Sequence, residues 1–195
     1  MANLFLTGDP AADRLLSEDP NALLIGMVLD QQVPMEKAFS GPAVIAERMG
    51  GTLDVAAIAA LDTDRFVEIC SQRPAVHRFP GSMAGRIQAV CRELVDNYGG
   101  DASNLWAGVS DGAELLRRIA ALPGFGAAKS QIFLALLGKQ YGVTPPGWRA
   151  AAGRFGVEGS AISVADIVDE PSLRAVRAAK KAEKAAAKAA ATTRA

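Results

Sequence analysis

The chain has 195 residues, half of them apolar, and its 21 basic residues are matched by 21 acidic ones, which suits one globular core and excludes a disordered chain. No apolar run reaches the roughly 18 residues that span a bilayer, and residues 1–9 carry neither a basic region nor a long apolar segment, so a cytoplasmic protein without membrane contact is expected. Two cysteines (Cys70, Cys91) and one histidine (His77) are too few for a zinc site or an iron–sulfur cluster, so no metal and no cofactor is expected, and the cysteines read as buried thiols rather than a disulfide.

Asp19-Pro20 reads as a helix cap followed by proline at the first helical position, and Leu23, Leu24, Met27 and Val28 then recur at helical spacing, which predicts a helix to about Gln31. Pro34 can open the next helix, with Phe39, Val44 and Ile45 inward, a kink at Gly41-Pro42 and an end at Gly50-Gly51. Leu53 to Ala60 and Asp62 to Cys70 read as two short helices. Arg73 to Gly81, with two prolines and a glycine, is a loop before a long helix from Ser82 to Tyr98, whose buried face is Ile87, Val90, Cys91, Leu94 and Val95. Leu115, Leu116 and Ile119 mark another helix, Leu122 to Gly126 breaks it, and Ile132, Phe133, Leu136 and Leu137 mark the helix that follows. After Gly142 the pattern fades through Val143 to Trp148 into a short helical region and a glycine-rich stretch. Nowhere do apolar and polar residues alternate over a strand's length, so the chain reads as all-α.

Together these elements make a helical domain over residues 1–170 and an Ala/Lys-rich tail over 171–195, which can be helical when bound but buries too little to fold alone. The tail carries seven basic residues against Glu183, a net of +6, and the body carries −6. A polyanion partner would therefore meet local patches rather than a uniformly positive surface.

The break between the last two long helices holds Gly124 and Gly126. Glycine allows positive φ at both and lets a ligand approach the main chain without a Cβ in the way. The turn amides and the first amides of the following helix can then converge on one phosphate-sized anion. An ordinary tight turn is the plainer account of a lone Gly-x-Gly. Six basic residues and no acid between Arg117 and Arg154, in an otherwise acidic body, favour nucleic acid backbone as the anion.

Leu122-Pro123-Gly124-Phe125-Gly126-Ala127-Ala128-Lys129-Ser130 resembles the helix-hairpin-helix element of the HhH-GPD base-excision-repair DNA glycosylase superfamily, and Leu29-Asp30-Gln31-Gln32 resembles its helix-ending glutamine motif. Gly85-Arg86-Ile87 followed by Tyr98-Gly99-Gly100 is similar to the helix between those motifs, so the resemblance covers roughly Pro20 to Trp148. It implies two helical lobes with a cleft into which a base is flipped from bent DNA. It places Gln31 and Gln32 at the minor groove, where a polar helix end is the plainer alternative, and Gly124, Phe125, Gly126, Ala127, Lys129 and Ser130 against the DNA backbone. Arg73, His77, Arg78, Arg86 and Arg92 are candidates for the opposite phosphate path or for a solvated face.

Breaking an N-glycosidic bond develops positive charge on the sugar, which a carboxylate stabilises. The family's usual carboxylate lies a short helix beyond the hairpin, but no Asp or Glu stands between Glu114 and Glu158. Family members that also cut the backbone use a lysine two residues after the hairpin's last glycine, where this chain has Ala128. Lys129 follows one residue later, about 100° around the helix, and reads as a phosphate contact. Asp30 is the one acid in a matched motif near the expected cleft, although a surface or capping residue is the plainer account of it. The resemblance thus implies a monomeric repair protein on damaged or distorted double-stranded DNA, a glycosylase without strand-cutting activity. A non-catalytic binder of lesions or DNA structures is the alternative, and a helical interaction protein is a weaker third.

Overall fold

Two Asp-Pro pairs open the chain's first two helices. The computed structural model describes residues 2–192, with side chains as far as residue 186. The Asp9 carboxylate accepts the Ala11 N–H at the start of α1 (Pro10–Glu18), and the Asp19 carboxylate accepts those of Asn21 and Ala22 at the start of α2 (Pro20–Leu29). Helix α1 is an addition to the elements expected from the sequence, although Asp9-Pro10 carries the same signal as Asp19-Pro20. Helix α2 is buried on every face from Ala22 to Leu29, as its nearly continuous apolar sequence requires. It stops at Leu29 rather than near Gln31. Asp30 caps it, and Gln32 takes a left-handed φ of 57° that no helix continues through.

Helix α3 (Met35–Arg48) is capped by Pro34 and continues past Pro42, then ends before Gly50 and Gly51, both at positive φ. Asp54 and Asp62 cap α4 (Val55–Ala60) and α5 (Thr63–Ser71), and both pack against α6 (Pro80–Tyr98), which starts two residues earlier than its apolar pattern suggests. The Gln88 side chain, wholly buried on α6, donates to the carbonyls of Ile58 and Leu61 and secures the end of α4. These six helices form the first lobe.

The second lobe is built around α8 (Ala127–Gln140), packed by α7 (Gly112–Ala120), by α9 (Trp148–Ala151) and by the 3-10 turns at Gly153–Gly156 and Val164–Asp166. Helix α10 (Glu170–Thr192) lies against that last turn. The tail is not free along its whole length: Leu173 and Val176 are buried in the common core, while Lys180, Lys181 and Lys184 lie on the outer part of the helix beyond them. The lobes meet at the 3-10 turn Ala102–Leu105, which packs against α2, α6 and α7, and where Lys129 of α8 reaches the end of α2. Among the described residues there is no strand, and no helix is long and apolar enough to cross a membrane.

Candidate nucleic-acid interface

The α7–α8 hairpin turns through Leu122, whose carbonyl accepts the Phe125 N–H at 3.1 Å, with Gly124 at φ +80°. Gly126 departs from expectation: its φ is −83° with extended ψ, which any residue adopts. Its lack of a Cβ matters for approach instead. A Cβ built on Gly124 or on Gly126 would meet nothing within 4 Å, so both backbones face open space. No side chain caps α8, which leaves its first amides directed out of the hairpin. They carry the positive end of the helix dipole, a suitable seat for one phosphate. Of the other hairpin residues, Ala127 is exposed, whereas Phe125 is buried against Phe133 and Ser130 is buried with its hydroxyl donating to the Gly126 carbonyl.

Across an open groove from the hairpin lies α6, presenting the small residues Ser82, Gly85 and Ala89 together with Arg86. Arg86 donates to the Gln31 side-chain oxygen at 2.6 Å, Gln31 Nε2 donates back to the Val28 carbonyl at 2.8 Å, and His77 Nε2 lies 2.8 Å from the Gln31 carbonyl. The Phe79 N–H donates to His77 Nδ1, so Nε2 carries the proton and donates. The two glutamines therefore differ. Gln31 is fixed from three sides, and Gln32 stands exposed at its left-handed backbone as the tip of the corner. Phe79, 44 % exposed with the Arg78 guanidinium 4.6 Å from its ring centre, belongs to the loop that His77 ties to this corner. An aromatic beside proline in a loop has no periodicity, so nothing in the sequence marks it.

Lys129, expected as a free phosphate contact, is turned inward. Its ammonium donates to the carbonyls of Met27 at 2.7 Å and Val28 at 3.2 Å, at the negative end of the α2 dipole, which attracts a cation. This bond clamps the first turn of α8, in one lobe, to the end of α2, in the other. Burial lowers the Lys129 pKa and Arg86 lowers it further, while Asp30 opposes both.

The family description that fits this arrangement, HhH-GPD superfamily base excision DNA repair protein, matches residues 25–194. The chain belongs to that superfamily. The match runs well past the Pro20 to Trp148 span covered by the motifs and takes in α10. No curated protein and no solved structure matches the chain. As a member of the HhH-GPD superfamily it is a base excision DNA repair protein with the two-lobed helical fold expected of it.

Most of the HhH-GPD protein's basic strip, Arg117 to Arg154, is internal bracing. Arg118 donates to the carbonyls of Leu105 and Ala107, Lys139 to Asp166, Arg149 to the Gly156 carbonyl and Arg154 to Glu183. Among the described residues only Arg117 of the six lacks such a partner. Arg92 likewise donates to the Ala59 carbonyl. Successive helical residues point about 100° apart, so a run of like charge in sequence does not become a stripe in space. The groove's positive character comes instead from Arg86 and the α8 amides.

Where the family's carboxylate would stand, Val143 to Arg149 forms a packing corner: the Pro146 carbonyl accepts the Gly112 N–H at 2.8 Å, and Trp148 seats its ring on Gly138. Asp30, at the Lys129 clamp, shares the wall of a cavity of about 410 Å³ between the lobes. Cys70 and Cys91 are both free and buried, and burial pushes each thiol up to about 12.

Proposed function

We propose that this protein is a monofunctional DNA glycosylase that acts as a cytoplasmic monomer on damaged or distorted duplex DNA. The observation that carries the reading is the Lys129 clamp. By bonding the end of α2 to the first turn of α8 it makes one rigid unit of the hairpin amides and the Gln31-Gln32 corner, on either side of the groove lined by Arg86. In this reading the hairpin amides hold a backbone phosphate, Arg86 neutralises a second, and Gln32 enters the stack where a base has been turned out. Lys129 then serves DNA by positioning rather than by contact. Strand cutting through a Schiff base has no amine: Ala128 holds the family's place, and the Lys129 ammonium is engaged by helix carbonyls.

A second reading, a non-catalytic lesion binder, is favoured by the proline corner that replaces the usual carboxylate. One experiment separates the two. The protein is incubated with duplexes carrying single alkylated, deaminated or oxidised bases, followed by alkali to reveal abasic sites and, in parallel, borohydride to trap any imine. Base release without trapping is expected. Trapping would overturn the monofunctional assignment, and tight lesion binding without release across the panel would leave the non-catalytic reading standing.

A further inference from the structure

Between α10 and the segment that joins α2 to α3 lies the 410 Å³ cavity, whose walls are mostly apolar, among them Val33, Met35, Ile167 and Val176. Two ionic groups line its α10 side: Arg177, paired with Glu36, and Lys180. The remaining charged group in its wall is Asp30. Its backbone is fixed, because its N–H donates to the Gly26 carbonyl as the C-cap of α2 and the next residue, Gln31, is held by Arg86, His77 and Val28. Asp30 therefore stands between the end of α2, to which Lys129 of the hairpin's second helix is bonded, and the Gln31-Gln32 corner, and it lines a base-sized, mostly apolar space.

The geometry assigns Asp30 as the catalytic carboxylate of base release, in place of the acid missing beyond the hairpin, with the cavity receiving an extrahelical base that already carries positive charge. This rests on the glycosylase reading above. The apolar walls give the carboxylate a poorly screened field, which favours the positive charge that develops on the sugar as the bond to the base breaks. Lys129 and Lys180 face Asp30 from α8 and α10 and favour its ionised form, although burial outweighs them and the pKa is raised from 3.8. Since Lys129 is bonded to carbonyls, it offers no free pair for nucleophilic attack.

In the step itself, the C1′–N bond breaks and its electron pair passes to the base, which leaves neutral. Water oxygen bonds to C1′, and the proton it loses passes to the Asp30 carboxylate and then to solvent. The cavity wall offers no separate acid facing Asp30 that would protonate a neutral leaving base, since Glu36 is paired with Arg177. A base made cationic by N-alkylation needs no such acid, and this sets the substrate class.

The test uses the full chain, a duplex with one N7-methylguanine, and the variants Asp30→Asn and Asp30→Glu. Single-turnover base release should fall by about 10²- to 10³-fold in Asp30→Asn, with duplex affinity nearly unchanged and partial activity in Asp30→Glu. The wild-type rate should fall on acidification along a limb centred above pH 3.8, and this limb should vanish in Asp30→Asn. Binding gives a readout independent of turnover. The wild type should prefer a duplex with a cationic pyrrolidine abasic analogue over one with neutral tetrahydrofuran, and Asp30→Asn should lose the preference. Base release by Asp30→Asn at the wild-type rate would overturn the assignment and leave the glycosylase reading intact. Failure of the wild type to release any damaged base would overturn both.

Discussion

At the scale of single residues, Asp166 and Asp30 show buried charge acting on the fold in opposite directions. Lys139 Nζ lies 2.5 Å from Asp166 Oδ1, with side chains only 13 % and 3 % exposed. Burial alone would raise Asp166, but hydrogen bonds from Lys139 and from the N–H groups of Ile162 and Ser163 outweigh it and hold the carboxyl below its ordinary value of 3.8. Its contribution to stability is complete above that unfolded-state value and is lost as pH falls through the folded one. Asp166→Ala should cost about 3 kcal/mol at neutral pH, because it strands a largely buried ammonium. Urea unfolding at pH 7 checks this, and a change below about 1 kcal/mol would make the pair dispensable. Asp30 has the opposite sign. Its folded-state value lies above the unfolded one, so its ionisation at neutral pH opposes folding, and stability rises as pH falls through the folded value. Asp30→Asn should therefore melt at a higher temperature than the parent at pH 7. A lower melting temperature would mean that Lys129 and Lys180 hold the carboxylate more strongly than burial penalises it.

At the scale of elements, the hairpin's two glycines have separate jobs. Gly124 sits at φ +80°, where a side chain costs roughly 1–2 kcal/mol of backbone strain, whereas Gly126 at −83° accepts any residue. Gly126→Leu is thus the clean probe. Open space surrounds its Cβ direction, so thermal stability should hold within about 1 kcal/mol while duplex affinity falls at least roughly tenfold through obstruction of the amides. Undiminished binding by a folded Gly126→Leu protein would remove the hairpin from the DNA contact. Gly112 gives the contrasting case, since its Cβ would fall 2.4 Å from the Trp148 backbone. Gly112→Ala must push α7 away from α9 and should destabilise by about 1–3 kcal/mol.

At the scale of the whole molecule, α10 joins body and tail in one helix. Cutting before Pro171 would remove Leu173 and Val176 from the core and open the Asp30 cavity, so that truncation should lower stability as well as affinity. Cutting before Lys181 spares both residues and removes Lys181 and Lys184, along with Lys188 and Arg194, whose side chains lie outside the described residues. The shorter cut also removes Glu183, the exposed partner of Arg154, and should change stability by less than about 1 kcal/mol while flattening the dependence of log affinity on log salt by about 0.9 for each phosphate that is no longer neutralised. An unaltered slope would show that the distal basic helix does not touch DNA.

Local chemistry written in the chain is enough for most of the helices, their Asp caps, the glycine hairpin and the resemblance between Pro20 and Trp148, because caps, proline and apolar spacing act within a few residues. Even α1, outside the expected elements, is announced by Asp9-Pro10. Contacts between residues distant in sequence are a different matter. That Lys129 reaches Met27, that Gln31 is locked while Gln32 is free, that the basic strip is consumed in bracing and that α10 walls the Asp30 cavity all depend on where separate helices come to rest. Side chains of one linear run leave a helix in different directions, and the Lys129 ammonium finds its partner 102 residues away. The sequence could nominate Asp30, Lys129 and the two glutamines; only the packing of the two lobes decided what each one faces.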